Sequence, residues 1–392
     1  MLSDELDSFE PVARIVVIGV GGAGNNAVNR MIDEEIQNVQ FFVANTDKQA
    51  LALSKAPNRL ILGETITNGL GAGGEPKVGK EAAEASEKEI REIVKDAHMV
   101  FIAAGMGGGT GTGAAPVIAK YAKEEGCLTI AIVTRPFTFE GNKRTTYSIE
   151  GLNELKNSVD SLIVVSNDKL LMSAGNNPIG QAFTEADKVL AQSVKTITDL
   201  ILMPAVINLD FADVKNTLKD SGIALIGFGM GKGANKAEDA ATAALNCPLI
   251  EQSVQGARRA ICHITCGSQV SLYEAQDTVQ KIIEQSGGQL DLKFGISINE
   301  QLSDEIMLSI IASNFANDIT FGVSKQNPQP TNLNNDFGLF GSAFASKPAQ
   351  PSFGFGTKVE TTSKQDLAEE SPKEKNTFDE DNIIPDFLDG NF

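Results

Sequence analysis

MVFIAAGMGGGTGTG, residues 99–113, decides how this chain is to be read. Residues 99–104 form an uninterrupted apolar run, the mark of a strand buried on both faces. The run leads into Gly107, Gly108, Gly109, Thr110, Gly111, Thr112 and Gly113. Residues 114–125 then read as a helix, with Pro116 tolerated in its first turn. A glycine-rich loop between strand and helix aims backbone amides at an anion, and the threonines add hydroxyl donors, so phosphate is the expected guest. A flexible linker is the bland alternative, but a linker is seldom wedged between a buried strand and a helix.

Working outward, residues 14–20 (RIVVIGV) are a second buried strand, running into GVGGAG at 19–24. That segment meets the G-x-G-x-x-G pattern of dinucleotide sites and by itself would favour an NAD-dependent oxidoreductase. Its physics is more general, because a residue without a Cβ lets the backbone close on any phosphate. Residues 25–36 read as a helix, 40–45 as a strand and 81–96 as a helix; 128–133 and 161–165 are further strands. Strands alternating with helices predict an α/β fold, a parallel sheet covered on both faces. Two glycine turns on neighbouring strands would hold phosphates from two sides.

Residues 177–202 read as one long helix opened by Pro178, followed by a short apolar piece at 206–209. A smaller α/β unit is expected from segments 223–228, 236–245, 259–266, 272–285 and 307–314. Residues 69–74 form another glycine loop. GEPKVGK at 74–80 matches most of a Walker loop, but Glu81 stands where Ser or Thr must meet magnesium and no apolar strand leads in, so that reading is rejected. The glycines of 227–233 read as a tight strand–helix turn. The predicted organisation is a flexible N-terminus (1–10), a nucleotide-binding domain (11–176), a long central helix (177–203), an acidic loop with the helix after it (204–220), a C-terminal α/β domain (221–322), a disordered linker (323–377) and a terminal partner-binding peptide (378–392).

Bulk composition excludes several classes. A net charge of -18 repels DNA, RNA and anionic lipid, so no direct nucleic-acid partner is expected. No apolar stretch could insert in a bilayer, and the acidic start is no signal peptide, which points to the cytoplasm. Four scattered cysteines argue for a reducing compartment. Cys262, His263 and Cys266 could suggest zinc, but Cys262, Ile264 and Cys266 share one strand face and read as core. With two histidines in the chain, histidine-based acid–base chemistry is poorly supplied. The tail is rich in Pro, Asn, Ser and Gly and reads as a spacer, though Phe337, Phe340, Phe353 and Phe355 each precede a glycine. Its apolar end, around Ile384, Pro385, Phe387 and Leu388, reads as a docking peptide on a leash.

Six blocks, in order, resemble the tubulin/FtsZ family of GTPases, its cell-division branch in particular: GGAGNN (21–26), NTD (45–47), GLGAG (69–73), GGGTGTG (107–113), FEGNKR (139–144) and NLDFAD (208–213). The resemblance covers residues 11–322 and recurs in the terminal peptide. It implies GTP and GDP as ligands, with Mg2+ carried by the nucleotide rather than by a side-chain cluster. It implies a site made of Gly21, Gly22, Ala23, Gly24, Asn25, Asn26, Asn45, Asp47, Ala72, Gly73, the 107–113 loop, Thr134, Pro136, Glu140, Arg144, Asn167, Phe183 and Asp187. In that picture Ala72 and Gly73 approach the γ-phosphate, Glu140 binds ribose, and Asn167, Phe183 and Asp187 read guanine. A carboxylate suits guanine, which presents two adjacent donors where adenine does not. Asn208, Asp210 and Asp213 would enter the next subunit's pocket in a head-to-tail polymer and activate water there. The implied partners are further copies of the chain, plus membrane-adaptor and regulatory division proteins at midcell. Ala205 replaces a usual glycine, and Ile383 and Asp389 depart from the usual terminal peptide. A filament-forming relative that segregates plasmids is the nearest rival, and the terminal Pro-x-Phe-Leu favours division over it.

Overall fold

The computed structural model describes residues 13–174, 179–203, 205–247, 254, 256–287 and 290–315, with backbone alone at 171–182. The N-terminal segment, Pro178, the linker and the terminal peptide with Ile384, Pro385, Phe387 and Leu388 lie outside the described residues.

The apolar runs become the strands β1 (Ile15–Val20), β2 (Gln40–Asn45), β3 (Asn58–Ile61), β4 (Met99–Gly105), β5 (Leu128–Arg135) and β6 (Ser161–Ser166). Between them lie α1 (Gly21–Asp33), α2 (Lys48–Ala52), α3 (Glu64–Thr67), α4 (Pro76–Ala85), α5 (Glu87–Val94), α6 (Thr110–Glu124), α7 (Asn142–Ser158) and α8 (Asn167–Ala174). The long helix is α9 (Ile179–Leu202), and α10 (Phe211–Leu218) follows the acidic loop. The C-terminal part adds β7 (Gly222–Lys232), α11 (Lys236–Leu245), β8 (Ala257–Gly267), α12 (Leu272–Gln285), β9 (Asp291–Asn299) and β10 (Glu305–Phe315).

The sheet runs β3-β2-β1-β4-β5-β6-β7-β10-β8-β9. Strands β1 to β6 are all parallel, while β10 lies antiparallel between β7 and β8. Strand period sorts the parallel core into two layers. Ile15 and Val17 of β1 face the side covered by α1 and α9, while Val16, Ile18 and Val20 face the side covered by α4, α6 and α7. Each such side chain contributes roughly 1.5–3 kcal/mol on full burial. Because both faces are covered, the strands read as continuous apolar runs rather than as alternation. In the smaller half, Cys262, Ile264 and Cys266 do share a core face, and burial pushes the Cys266 thiol up to about 11.

Several boundaries differ from the sequence expectation. Helices α1 and α6 start at Gly21 and Thr110, inside the glycine segments, so Pro116 sits in the interior of α6. There it leaves the carbonyl of Thr112 without its helical donor. The helix expected over 81–96 is two helices joined at Ser86, whose buried hydroxyl accepts from Gly63 N at 2.9 Å. Lys80 and Gly79 of the Walker-like segment lie within α4. Of the 227–233 glycines only Gly233, at φ +77°, opens the turn into α11, while Gly227, Gly229 and Gly231 lie within β7. A Cβ on Gly229 would stand 2.2 Å from Ala240 O and one on Gly231 1.9 Å from Lys236 O, so these glycines let α11 lie flat on the strand. Strands β3 and β9 and helices α2, α3, α7 and α8 were not foreseen.

Candidate functional site

Strand order reverses between β1 and β4, whose chain continuations leave in opposite directions along the sheet. That switch point, at the carboxyl ends of parallel strands, is where open α/β sheets bind ligands. A cleft of about 360 Å³ opens there. Of the predicted residues it is lined by Gly22, Ala23, Asn26, Gly108, Gly109, Thr110, Gly111, Thr134, Pro136, Glu140, Arg144, Asn167, Phe183 and Asp187, with Val20, Gly105, Met106 and Ala186 in addition.

The glycines divide into two kinds. Positions where a Cβ would meet nothing within 4 Å include Gly22 and Gly108, which leave room for a ligand. Others serve close backbone packing. A Cβ on Gly21 would fall 2.8 Å from Gly111 N, one on Gly24 2.2 Å from Ala103 O, and one on Gly113 1.9 Å from Pro76 O. Gly109 abuts the Gly74–Glu75 backbone and the Ala72 side chain, and so ties the phosphate loop to the 69–74 loop. Gly107 adopts φ +97°, and its N–H donates to Thr112 Oγ1 at 2.8 Å, which commits that hydroxyl to the loop itself. The Thr46 and Thr110 hydroxyls meet at 2.7 Å.

Other predicted residues brace the site without lining the cleft. The Asn25 amide, oriented to satisfy its surroundings, donates to Gly19 O at 3.1 Å and Gly21 O at 2.9 Å. Asn45 Oδ1 accepts from Asp47 N, and Asp47 caps α2 through Gln49 N at 2.8 Å and Ala50 N at 3.3 Å. Ala72 is buried, and nothing lies within 4 Å of a Cβ on Gly73.

The far wall of the cleft is aromatic and acidic. Phe183 meets buried Phe137 edge-to-face at 5.0 Å, and Phe139 stacks on Phe137 at 5.0 Å. Glu140 accepts from Phe137 N at 3.0 Å and pairs with Arg144 one turn on. Asp168, which sequence reasoning missed, accepts from Thr138 N and Oγ1 at 2.9 and 2.6 Å and fastens that turn to α8. Two polar groups stand out here. Among the described residues buried Asn167 Oδ1 has no hydrogen bond, and burial pushes the Asp187 carboxyl up to about 7 despite Arg30 nearby. An unpaired buried acceptor beside a desolvated carboxyl fits a ligand carrying adjacent N–H donors, as guanine does.

The acidic loop lies elsewhere. Asn208 Oδ1 accepts from Ala205 N at 2.8 Å, and Asp210 caps α10 by accepting from Asp213 N at 2.7 Å. From Asp187 to Leu202, α9 rises about 22 Å at roughly 1.5 Å per residue. Phe211 stands 6.1 Å from His98 at the amino end of β4, whereas the cleft lies at the carboxyl end of the same strand. The three loop residues are therefore held together but remote from their own chain's cleft. Lys293 of β9 pairs with Asp213 at 2.8 Å and holds its carboxyl below the usual range. Among the described residues there is no group of three or more His, Cys, Asp and Glu that could hold a metal ion.

A second cavity, of about 340 Å³, separates α9 from the C-terminal strands and includes Asp199 and His263 in its lining. Burial pushes Asp199 up to about 6 and His263 down to about 4.

Comparison with known proteins agrees with this geometry. Residues 14–175 match the Tubulin/FtsZ family GTPase domain, and residues 222–316 match the FtsZ family C-terminal domain. An empty FtsZ dimer from M. jannaschii is 39% identical, with a TM-score of 0.73 over 79% of this chain and 90% of that one. A GTPγS-bound protofilament of CetZ2 from Haloferax volcanii shares the fold at 21% identity, with a TM-score of 0.64 over 76% of this chain and 92% of that one. The chain thus belongs to the tubulin/FtsZ family, and its N-terminal half is a GTPase domain that binds GTP and GDP.

Proposed function

We propose that this GTPase assembles head to tail into protofilaments, hydrolyses GTP at each junction and builds a cell-division ring. The remoteness of Asn208, Asp210 and Asp213 from their own cleft carries the reading, because neither end alone holds both the nucleotide cleft and the acidic loop. Exposed apolar side chains collect at both ends: Leu70, Phe139 and Phe183 around the cleft, and Met203, Val206 and Ile298 around the acidic loop. Unlike surfaces that match only across different copies make a contact that does not close on itself, and so a filament. A 39% identical relative that forms a dimer supports self-association.

In this mechanism Gly22, Ala23 and Asn26 and the amides of Gly108, Gly109, Thr110 and Gly111 hold the phosphates, while Ala72 and Gly73 close on the γ end. Glu140 and Arg144 position the ribose, and Asn167, Phe183 and Asp187 select guanine. Asp210 and Asp213 of the adjoining subunit orient and polarise the attacking water. Part of the phosphate charge is offset by the magnesium ion that travels with the nucleotide. Ile384, Pro385, Phe387 and Leu388 would engage adaptor proteins. No described helix is long and apolar enough to cross a membrane.

The test is turnover per subunit against protein concentration. A threshold followed by a rise is expected, coinciding with light scattering that decays as phosphate is released. Turnover strictly proportional to protein, without threshold, would sink the shared site. Asp213→Ala should keep GTP affinity and lose turnover; loss of binding instead would remove the loop from its assigned role.

A further inference from the structure

The acidic loop poses an electrostatic problem. Asp210 and Asp213 sit at the start of α10, in a chain of net charge -18, and on the reading above they must approach a polyphosphate. Like charges brought together in a partly desolvated junction repel strongly. A cation carried with the loop would relieve this, and β9 supplies one.

The face of β9 that bears residues 291, 293 and 295 meets the loop. A Cβ on Gly295 would stand 3.2 Å from Ile207 O and 3.9 Å from the Leu209 side chain. One step along the same face, Lys293 Nζ donates to Asp213 Oδ1 at 2.8 Å. The Asp213 main chain is fixed as well, through its N–H to Asp210 Oδ1. The other charged groups around this point are Lys215 on α10, which lies over the Phe211 ring, Asp291 on β9, and Arg259 on β8, whose guanidinium donates to Asn216 O at 2.9 Å. His98 reaches the loop only through the Phe211 ring, and its Nδ1 accepts from Arg14 N.

We propose that Lys293 is a positioning residue for hydrolysis: by holding Asp213 Oδ1 it fixes the orientation in which this carboxylate is presented to water in the neighbouring subunit's cleft, and it brings a compensating positive charge to that junction. The inference rests on the shared-site reading. Lys293 touches neither nucleotide nor water and acts through Asp213.

The experiment uses the full chain, with Lys293→Met and Lys293→Arg, measured above the assembly threshold near neutral pH. Lys293→Met should lower kcat about tenfold and leave KM for GTP within about twofold, because the cleft it serves belongs to another subunit. Lys293→Arg should restore most of the rate. Mixing Lys293→Met subunits with Asp187→Asn subunits should raise turnover above either alone, because the latter deliver intact loops to the former's clefts. An unchanged kcat overturns the proposal. A raised kcat would make Lys293 a restraint on Asp213 and would overturn it too, as would failure of Arg to rescue a variant that melts normally. Should Lys293→Met melt early, Lys293→Gln takes its place. Failure of the shared site itself looks different: wild-type turnover without a threshold, and no complementation in the mixture.

Discussion

Asp187 has an environment that resists its own charge, and that sets a pH dependence. Burial pushes its carboxyl up to about 7, so the free protein is part-protonated near neutrality. In the proposed guanine-reading role, only the ionised form can accept both donors. Nucleotide affinity should therefore fall as pH drops below about 7, approaching tenfold per unit, and stay flat above about 8. Titration of a fluorescent GTP analogue at several pH values checks this, and Asp187→Asn should bind weakly at every pH. Asp199, pushed up to about 6, acts on stability. Its folded pKa exceeds the ordinary 3.8, so the folded form holds the proton more tightly and stability from this group drains away as pH rises from about 4 to about 6. Asp199→Asn should stabilise the protein at about pH 8 by something on the order of 1 kcal/mol or more in urea unfolding and flatten that slope. The glycines give a paired prediction. Gly113→Ala should cost about 2 kcal/mol or more of stability through its clash with Pro76 O, while Gly22→Ala should leave stability intact and weaken GTP binding. The sequence pattern announced both as phosphate glycines, because a pattern records the absence of a Cβ and not what occupies the space. Lys293 could not be read at all, since its partner lies 80 residues away and its meaning exists only across a folded contact.

At the scale of elements, what could be read depended on which force set the boundary. The central strands were legible because burial on both faces leaves continuous apolar runs. β3, a four-residue edge strand with two exposed positions, carries no such signal. β9 (DLKFGISIN) mixes charge and glycine because one face turns toward the acidic loop. The starts of α1 and α6 were placed too late because low glycine propensity argued against helix, whereas close backbone contacts at Gly21 and Gly111 stabilise those first turns. β7 and α11 give the sharpest test. Gly231→Ala should push α11 from the strand and cost about 2 kcal/mol or more in urea unfolding, with GTP affinity unchanged because the cleft lies in the other half of the sheet. A Gly231→Ala protein of wild-type stability would show that α11 does not pack as tightly as the 1.9 Å approach to Lys236 O requires.

For the whole molecule, a net charge of -18 opposes any row of identical subunits. Raising monovalent salt from about 10 to about 100 mM shortens the screening length from about 30 to about 10 Å, and the assembly threshold should fall accordingly. Sedimentation of GTP-loaded protein at the two salt levels measures it; a threshold that rises would mean that complementary charge at the junction outweighs the global repulsion. The separation of cleft and acidic loop along α9 has a last consequence. A row built this way has unlike ends. At one, the outermost nucleotide has no acidic loop above it, so it stays intact and can exchange with solution. At the other, an acidic loop points outward with nothing to cut. Interior nucleotides age from the moment a neighbour arrives, so the proportion of spent nucleotide along the row becomes a record of when each subunit joined, and the unroofed terminus is the one place where that clock has not started.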